Sequence, residues 1–139
     1  MPTIEHRKLF RARIAVQIAY ETLSKPVVNG VFLTTDVSSS GACVIGTKKL
    51  ELDTDLKLNI FFQEGANPVA ASGKIIWKKQ CQYVPQSKHV YYAYGLRFLE
   101  MTPSDAIKTS DYVYEMVRAS HEMEERETIQ QLEKIKQGQ

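Results

Sequence analysis

The sequence has few cysteines and no long apolar run. Its 139 residues include two cysteines, Cys43 and Cys81, whose separation rules out a CxxC metal or redox motif. No segment approaches the roughly 18–20 consecutive apolar residues that a membrane-spanning helix needs. The first residues are charged and no apolar block follows them. We therefore expect no secretory signal and no membrane span, a cytoplasmic location and two reduced thiols.

Histidines are also scarce, and no signature of catalysis or metal binding is present in the sequence. His6, His89 and His121 are scattered, and HEMEE at 121–125 differs from the HExxH that places two ligands one helical turn apart. The serines form no GxSxG elbow. We expect no metal, no cofactor and no enzyme activity, and a catalytic group assembled only by folding is the minor alternative.

The net charge of +2 is small, but its distribution is uneven. Residues 5–13 carry four Arg or Lys residues against Glu5, and residues 122–127 carry four glutamates against Arg126. Duplex nucleic acid calls for a broad basic face, which a nearly balanced chain does not favour. A short basic cluster suits a small anion, so we expect no nucleic-acid partner, with a small RNA- or DNA-binding barrel as a lesser alternative.

Between residue 12 and about residue 100, apolar residues recur at every second position, which is the period of a strand. GVFLTT at 30–35 and ACVI at 42–45 are two shorter apolar segments. Short connections favour antiparallel pairing, so the sequence predicts a mainly β fold of about six strands, closed into a barrel that hides their edges. The longer alternating sets are Ile14, Val16, Ile18 and Tyr20; Leu56, Leu58, Ile60 and Phe62; Val69, Ala71, Gly73, Ile75 and Trp77; Tyr92, Tyr94, Leu96 and Phe98.

Two side chains in these strands have more than one interpretation. Trp77 lies two residues after Ile75, so the two side chains should face the same side of the strand. We therefore expect Trp77 in the barrel core rather than as a stacking platform. Arg97 alternates away from Leu96 and Phe98. It therefore faces either solvent or a ligand surface, and solvent is the expectation.

From residue 102 the pattern becomes helical. Thr102-Pro103-Ser104-Asp105 combines an N-cap, a proline at the first position and an acid in the first turn. We expect one long helix over 103 to about 136, or two helices joined near 120. The residues expected to cover part of the barrel are Ile107, Val113, Tyr114 and Val117. Further apolar residues are sparse for a coiled coil and are expected to pack partly on the barrel, with self-association or a partner helix as the alternative; they are Met116, Met123, Ile129, Leu132 and Ile135.

The first motif is an RxxxR formed by Arg7 and Arg11. A spacing of four places both guanidinium groups on one side of an extended segment or of a helical turn. An arginine fork grips phosphate oxygens, or the O6/N7 edge of guanine. Alone, the motif is typical of any solvated basic arm. Lys8, between the two arginines, is a secondary candidate for attracting phosphate.

The second motif is a DxSxxG formed by Asp36, Ser38 and Gly41, between two predicted strands. The Asp36 carboxylate suits the N1–H and N2–H₂ donors of guanine, and the Ser38 hydroxyl donates or accepts nearby. Gly41 permits a tight turn or a close approach to a ligand. Alone, the motif is typical of a serine-rich turn whose side chains bond their own backbone. Together, the two motifs suit a guanine nucleotide with accessible phosphates.

Four segments resemble the PilZ domain family, in order and at suitable separations. They are RKLFR at 7–11, DVSSSG at 36–41, GKIIW at 73–77 and YGLRF at 94–98. The resemblance implies a six-stranded antiparallel PilZ-type barrel with a C-terminal helix that binds cyclic di-GMP, commonly as an intercalated dimer. It also implies that Arg7 and Arg11 hold the phosphates and guanine edges while Asp36, Ser38 and Gly41 surround one guanine.

The resemblance further implies an organisation and a mechanism. Residues 1–11 form a flexible arm that folds over the ligand and alters a surface for a downstream protein. Residues 12–117 form the barrel with the start of the helix, and residues 118–139 form a helical extension. His6, a secondary site candidate, stands where many members have another arginine, which we expect to weaken one contact. The alternative is a ligand-independent adaptor that uses the C-terminal helix, including a possible homo-oligomer.

Overall fold

The computed structural model describes residues 11–81, 86 and 88–138. Across these residues the chain folds into six strands followed by one helix, which confirms the predicted fold class. The elements are β1 (Gln17–Thr22), β2 (Asn29–Val37), β3 (Gly41–Gly46), β4 (Asp55–Phe61), β5 (Val69–Gln80), β6 (Tyr92–Glu100) and α1 (Pro103–Gln137).

The strands form a closed barrel in the order β1-β2-β3-β6-β5-β4. Every neighbouring pair is antiparallel. Four of the six pairings join strands that are consecutive in sequence, whereas β3–β6 and β1–β4 join distant strands and close the barrel. Closure pairs both edges of every strand, which removes the open edges that six separate strands expose.

The barrel interior is filled by the alternating apolar residues. Leu56, Leu58 and Ile60 of β4 are fully buried, as the period of two predicts. Tyr94 is the largest fully buried side chain, and its hydroxyl is satisfied because it accepts from Leu50 N at 2.8 Å and donates to Lys48 O at 2.7 Å. The interior therefore combines close packing with a polar group that has its partners.

The prediction that Trp77 lies in the core is wrong. β5 contains a bulge, because Ile75 pairs with Leu96 while Trp77 pairs with Gly95, so Ile76 is an additional residue. The additional residue shifts the alternation, and Trp77 lies on the outer face with 39% of its surface exposed. A Cβ on Gly95 would stand 2.1 Å from Trp77 Nε1, so the indole lies across a position that only glycine leaves free.

α1 begins as the sequence predicts and continues as a single helix. The Thr102 hydroxyl accepts from Asp105 N at 3.1 Å, and Pro103 occupies the first turn. The helix has 35 residues and no joint near 120. The buried helix residues are Thr109, Val113 and Val117, which share one face at a spacing of four.

Two residues that were expected to cover the barrel lie elsewhere on the helix. Ile107 is 63% exposed and Tyr114 is 52% exposed. They are displaced by roughly 200° from Thr109 and roughly 100° from Val113 around the helix axis, because each residue turns the helix by about 100°. The spacing predicted the helix correctly but assigned these two residues to the wrong face.

The later part of α1 carries exposed apolar side chains. Met116 packs against the core, as expected. The expectation that the later apolar residues pack on the barrel is wrong, because they are all exposed; they are Met123, Ile129, Leu132 and Ile135. Val117 is the last buried residue of the helix. Among the described residues, no helix is both long enough and apolar enough to cross a membrane.

Candidate functional site

A short backbone pairing places Arg11 beside Asp36. Ala12 and Val37 form an isolated antiparallel bridge, in which each backbone N–H donates to the other residue's carbonyl at 2.8 Å. Arg11 precedes Ala12 and Asp36 precedes Val37, so the bridge brings these two side chains within reach of each other. Arg11 Nε donates to Asp36 Oδ1, and Arg11 Nη2 donates to Cys43 Sγ at 3.4 Å. One residue from each predicted motif is therefore in direct contact.

The Arg11–Asp36 ion pair is partly exposed. The Arg11 side chain keeps 38% of its surface accessible and the Asp36 side chain keeps 23%. Partial burial acts to lower the pKa of Arg11, and the hydrogen bond and charge of Asp36 outweigh it, so the net shift of that pKa is upward. The guanidinium is therefore a permanent positive charge that solvent and a ligand can reach.

The Ser38–Gly41 turn uses its own polar groups. Ser38 N donates to Gly41 O at 2.8 Å, and the Ser38 hydroxyl lies 3.2 Å from both Gly41 O and Ser40 Oγ. Ser38 is only 3% exposed. Its hydroxyl stabilises the turn, as in the serine-rich turn that the sequence offered as the simpler interpretation. Asp36 differs, because its carboxylate pairs with Arg11.

Gly41 is required by the close approach of two strands. A Cβ at this position would stand 2.2 Å from the carbonyl oxygen of Leu96 on β6. The glycine therefore lets β3 lie against the β6 backbone, where no side chain fits. The close approach that the sequence predicted for Gly41 is made to this neighbouring strand.

One row of cross-strand partners runs over the outer face of the barrel. Asp36 pairs with Cys43, Cys43 with Gly95, and Gly95 with Trp77. Cross-strand partners share a face, and neighbouring strands lie about 4.8 Å apart, so this row spans roughly 14 Å. It has a carboxylate at one end, an indole at the other and two small residues between. We call these four residues the outer row.

Cys43 and Trp77 are candidate site residues that the motifs did not identify. Burial raises the pKa of the Cys43 thiol, and the nearby charge of Asp36 raises it further, although Arg11 acts in the opposite direction. The thiol is therefore protonated at neutral pH and lies as a small, weakly polar group between strands. The sequence predicted Trp77 in the core because the alternation of apolar residues does not reveal a β-bulge.

A cleft of about 580 Å³ lies beside Arg11, and none of the four residues of the outer row lines it. Its lining includes Arg11, Ser38 and Gly41 together with residues of β5 and β6, among them Ile76 and Arg97. The lining thus combines guanidinium groups, hydroxyls and apolar carbon, which suits an anionic ligand with an apolar ring.

The remaining predicted site residues are Arg7, His6 and Lys8, which lie outside the described residues. In the described part of the chain, no three His, Cys, Asp or Glu residues cluster as metal ligands do. Of the five principal site residues, the structure brings Arg11 and Asp36 into contact and places Ser38 and Gly41 in the adjoining turn.

These features define a small β-barrel domain with a candidate anion site on its outer face. The PilZ domain family model matches residues 5–115. The chain belongs to the PilZ domain family. No curated protein sequence matches it.

Solved structures share the fold at low sequence identity. The PilZ domain of YcgR from Escherichia coli with c-di-GMP aligns with a TM-score of 0.63 and 12% identity, covering 83% of this chain and 94% of that chain. The K. pneumonia MrkH–c-di-GMP complex aligns with a TM-score of 0.64 and 14% identity, covering 81% of this chain and 53% of that chain. Bacillus subtilis MotI/DgrA, an inhibitor of motility, aligns with a TM-score of 0.56 and 14% identity, covering 76% of this chain and 48% of that chain. This chain spans about half the length of MrkH and MotI.

Proposed function

We propose that this chain is a bacterial receptor that binds cyclic di-GMP on the outer face of its barrel. The observation that carries the proposal is the contact between Arg11 and Asp36, which come from motifs 25 positions apart. The family membership supports it, as do two similar folds whose structures contain c-di-GMP, the YcgR PilZ domain and the MrkH complex.

The chemistry of the pair fits a guanine nucleotide. The Asp36 carboxylate accepts hydrogen bonds, which suits the N1–H and N2–H₂ donors of the guanine base. The Arg11 guanidinium donates in a planar fork, which suits a phosphodiester or the O6/N7 edge of the same base. Both residues keep accessible surface, so a ligand can reach them.

Binding exchanges one set of partners for another. Arg11 and Asp36 pair with each other, and a ligand that takes only Arg11 leaves the carboxylate without its cation. A plain phosphate therefore gains little from this site. A guanine nucleotide replaces both partners, because its base offers donors to Asp36 while its phosphate offers acceptors to Arg11.

Further residues complete the proposed site. Arg7 supplies the second arginine of the motif, with His6 and Lys8 as secondary contacts. Ser38 holds the turn, and Gly41 lets the turn lie directly against β6. The half-exposed indole of Trp77, at the far end of the outer row, is suited to stack on a base. Since cyclic di-GMP has two guanines, one base at Asp36 and one at Trp77 is an arrangement that the length of the row allows.

The proposed output is a changed surface for a downstream protein. The ligand holds residues 1–11 against the barrel through Arg7 and Arg11. A second route runs through the Ser38–Gly41 turn, because Ser39 lines a cleft of about 310 Å³ together with Ser110, Val113 and Tyr114 of α1. A ligand at the turn is therefore next to the helix. In this proposal the protein binds and signals, without catalysis and without a cofactor.

Calorimetric titration of the purified chain with cyclic di-GMP, cyclic GMP and GTP tests the proposal. We expect saturable binding of cyclic di-GMP at micromolar protein, weaker binding of the other two nucleotides, and recovery of chemically unchanged ligand. Absence of heat with cyclic di-GMP, at a concentration where the chain is folded, contradicts the proposal.

A ligand-independent adaptor is the second candidate, and the later part of α1 favours it. Four large apolar side chains of this part are all more than half exposed; they are Met123, Ile129, Leu132 and Ile135. Such a helix suits a partner helix or a second copy of this chain. Sedimentation of the chain with and without cyclic di-GMP separates the two candidates, because an adaptor associates equally in both conditions.

A further inference from the structure

A second row of cross-strand partners lies beside the outer row. Gly41 pairs with Arg97, Arg97 with Lys74, and Lys74 with Asp55. Arg97 lies two residues from Gly95 on β6, so both point to the outer face of the barrel. Its guanidinium is therefore next to the candidate site, on the strand that also carries Gly95.

Arg97 and Arg11 line the same cleft of about 580 Å³. Gly41, the last residue of the Ser38–Gly41 turn, is the cross-strand partner of Arg97, so the turn and the Arg97 backbone lie side by side. The cleft thus has one guanidinium on the side of Asp36 and another on the side of β6. Two cations that share one open cleft raise its attraction for an anion.

The two cations of this second row differ in their partners. Lys74 Nζ lies 3.6 Å from Asp55 Oδ1, so its charge is partly neutralised. Arg97 has no acidic partner within ion-pair distance in the part of the chain that the structure describes. Arg11 is paired with Asp36. Among these three cations, Arg97 is the one whose donors are available without breaking an ion pair.

We infer that Arg97 is a further ligand-binding residue, which donates to a phosphodiester of the nucleotide from β6, in the cleft that Arg11 also lines. This inference rests on the proposed function and adds a contact that lies outside both motifs. Its physical basis is the phosphodiester itself, which carries a negative charge and accepts well from an arginine fork. A cyclic dinucleotide has two such groups, and Arg11 and Arg97 both line one cleft.

Titration of Arg97→Ala, Arg97→Lys and Lys74→Ala with cyclic di-GMP tests the inference. We expect Arg97→Ala to weaken binding by about fivefold to tenfold, as for loss of one charge-assisted contact at an exposed site. Arg97→Lys, which keeps the charge but loses the fork, should fall between it and the wild type. Lys74→Ala is the matched control and should change the affinity by less than about twofold.

Salt dependence gives a second readout. The affinity of the wild-type chain should fall more steeply with added salt than that of Arg97→Ala, because the variant lacks one cation at the ligand. Thermal unfolding should give nearly the same Tm for both, since Arg97 is exposed.

The outcomes separate this inference from the proposed function. A wild-type chain that binds no cyclic di-GMP overturns both. A wild-type chain that binds, together with Arg97→Ala of equal affinity, overturns the Arg97 inference alone. Equal weakening by Arg97→Ala and Lys74→Ala also overturns it, because the row then acts through general charge rather than through a contact.

Discussion

The inner and outer faces of β3 and β6 differ in kind, although alternating residues of the same two strands supply both. On the inner face Val44, Tyr94 and Leu96 are buried and tightly packed. On the outer face the same two strands present Gly41, Cys43, Gly95 and Arg97. The inner face has large side chains where the fold needs volume. The outer face has mostly small ones, and it is the face on which we propose that the ligand binds, so changes to stability and to binding should be separable.

The outer face carries small residues at the centre of the outer row. Gly95 lies under the indole of Trp77, and Gly41 lies against the backbone of β6. Cys43, between Asp36 and Gly95 in the row, contacts Arg11. The surface of the row is therefore formed by Arg11, Asp36 and the indole of Trp77.

The largest expected effect belongs to the inner face. Leu58→Ala removes a fully buried side chain and should lower the free energy of unfolding by about 2–5 kcal/mol. The affinity of the folded fraction for cyclic di-GMP should remain that of the wild type, because Leu58 does not reach the outer row. Denaturant unfolding and calorimetry below the transition measure the two quantities. Loss of binding by a fully folded Leu58→Ala chain contradicts the separation of the two faces.

The next effect belongs to the outer face. Arg11→Ala and Asp36→Ala should each weaken binding of cyclic di-GMP by tenfold or more, because each removes a charged hydrogen-bonding partner of the ligand. The Tm should stay near that of the wild type, since a partly exposed ion pair contributes little to stability.

Glu115→Ala is the matched control for these two variants. It removes the exposed pair between Glu115 and Arg118 on α1, which lies away from the cleft. We expect neither the Tm nor the affinity to change measurably. Normal binding by either Arg11→Ala or Asp36→Ala shows that the site assignment is wrong.

The smallest expected effect is a change in the rate at which Cys43, in the outer row, is alkylated. With Cys81→Ala as background, iodoacetamide should alkylate Cys43 slowly at pH 7.5, because a raised pKa leaves less thiolate at that pH. The rate should rise as the pH approaches the pKa of the thiol. Saturating cyclic di-GMP should slow it further by covering the row, as mass spectrometry of the labelled chain can measure. Equal labelling with and without ligand indicates that the ligand lies elsewhere.

The sequence predicted the barrel well because its signal is local. Alternation over β4 identified its inward residues, and the cap at Thr102 located the start of α1. The position of Trp77 was not predictable in this way. A bulge is a property of how β5 pairs with β6, and it changes the face of a residue without changing the apolar pattern around it.

The candidate site was predictable in its residue types and less so in its geometry. The two motifs gave the chemistry of Arg11 and Asp36, but their contact depends on the bridge between Ala12 and Val37, which joins distant parts of the chain. The role of Gly41 also depends on a distant strand, since the group it avoids belongs to Leu96. The roles of Arg7, Ser38 and the other site residues in binding stay predictions.

α1 continues well beyond Val117, its last buried residue. At 1.5 Å per residue, the 35 residues of α1 measure about 50 Å, and residues 118–137 account for about 30 Å of that length. The buried part of α1 includes Val113, which lines a cleft together with Ser39. A tilt of the helix by about 10° at Val113 would move its far end, about 36 Å away, through roughly 6 Å. A small movement of α1 at Val113 would thereby move the far end of the helix by a distance comparable to the length of a side chain.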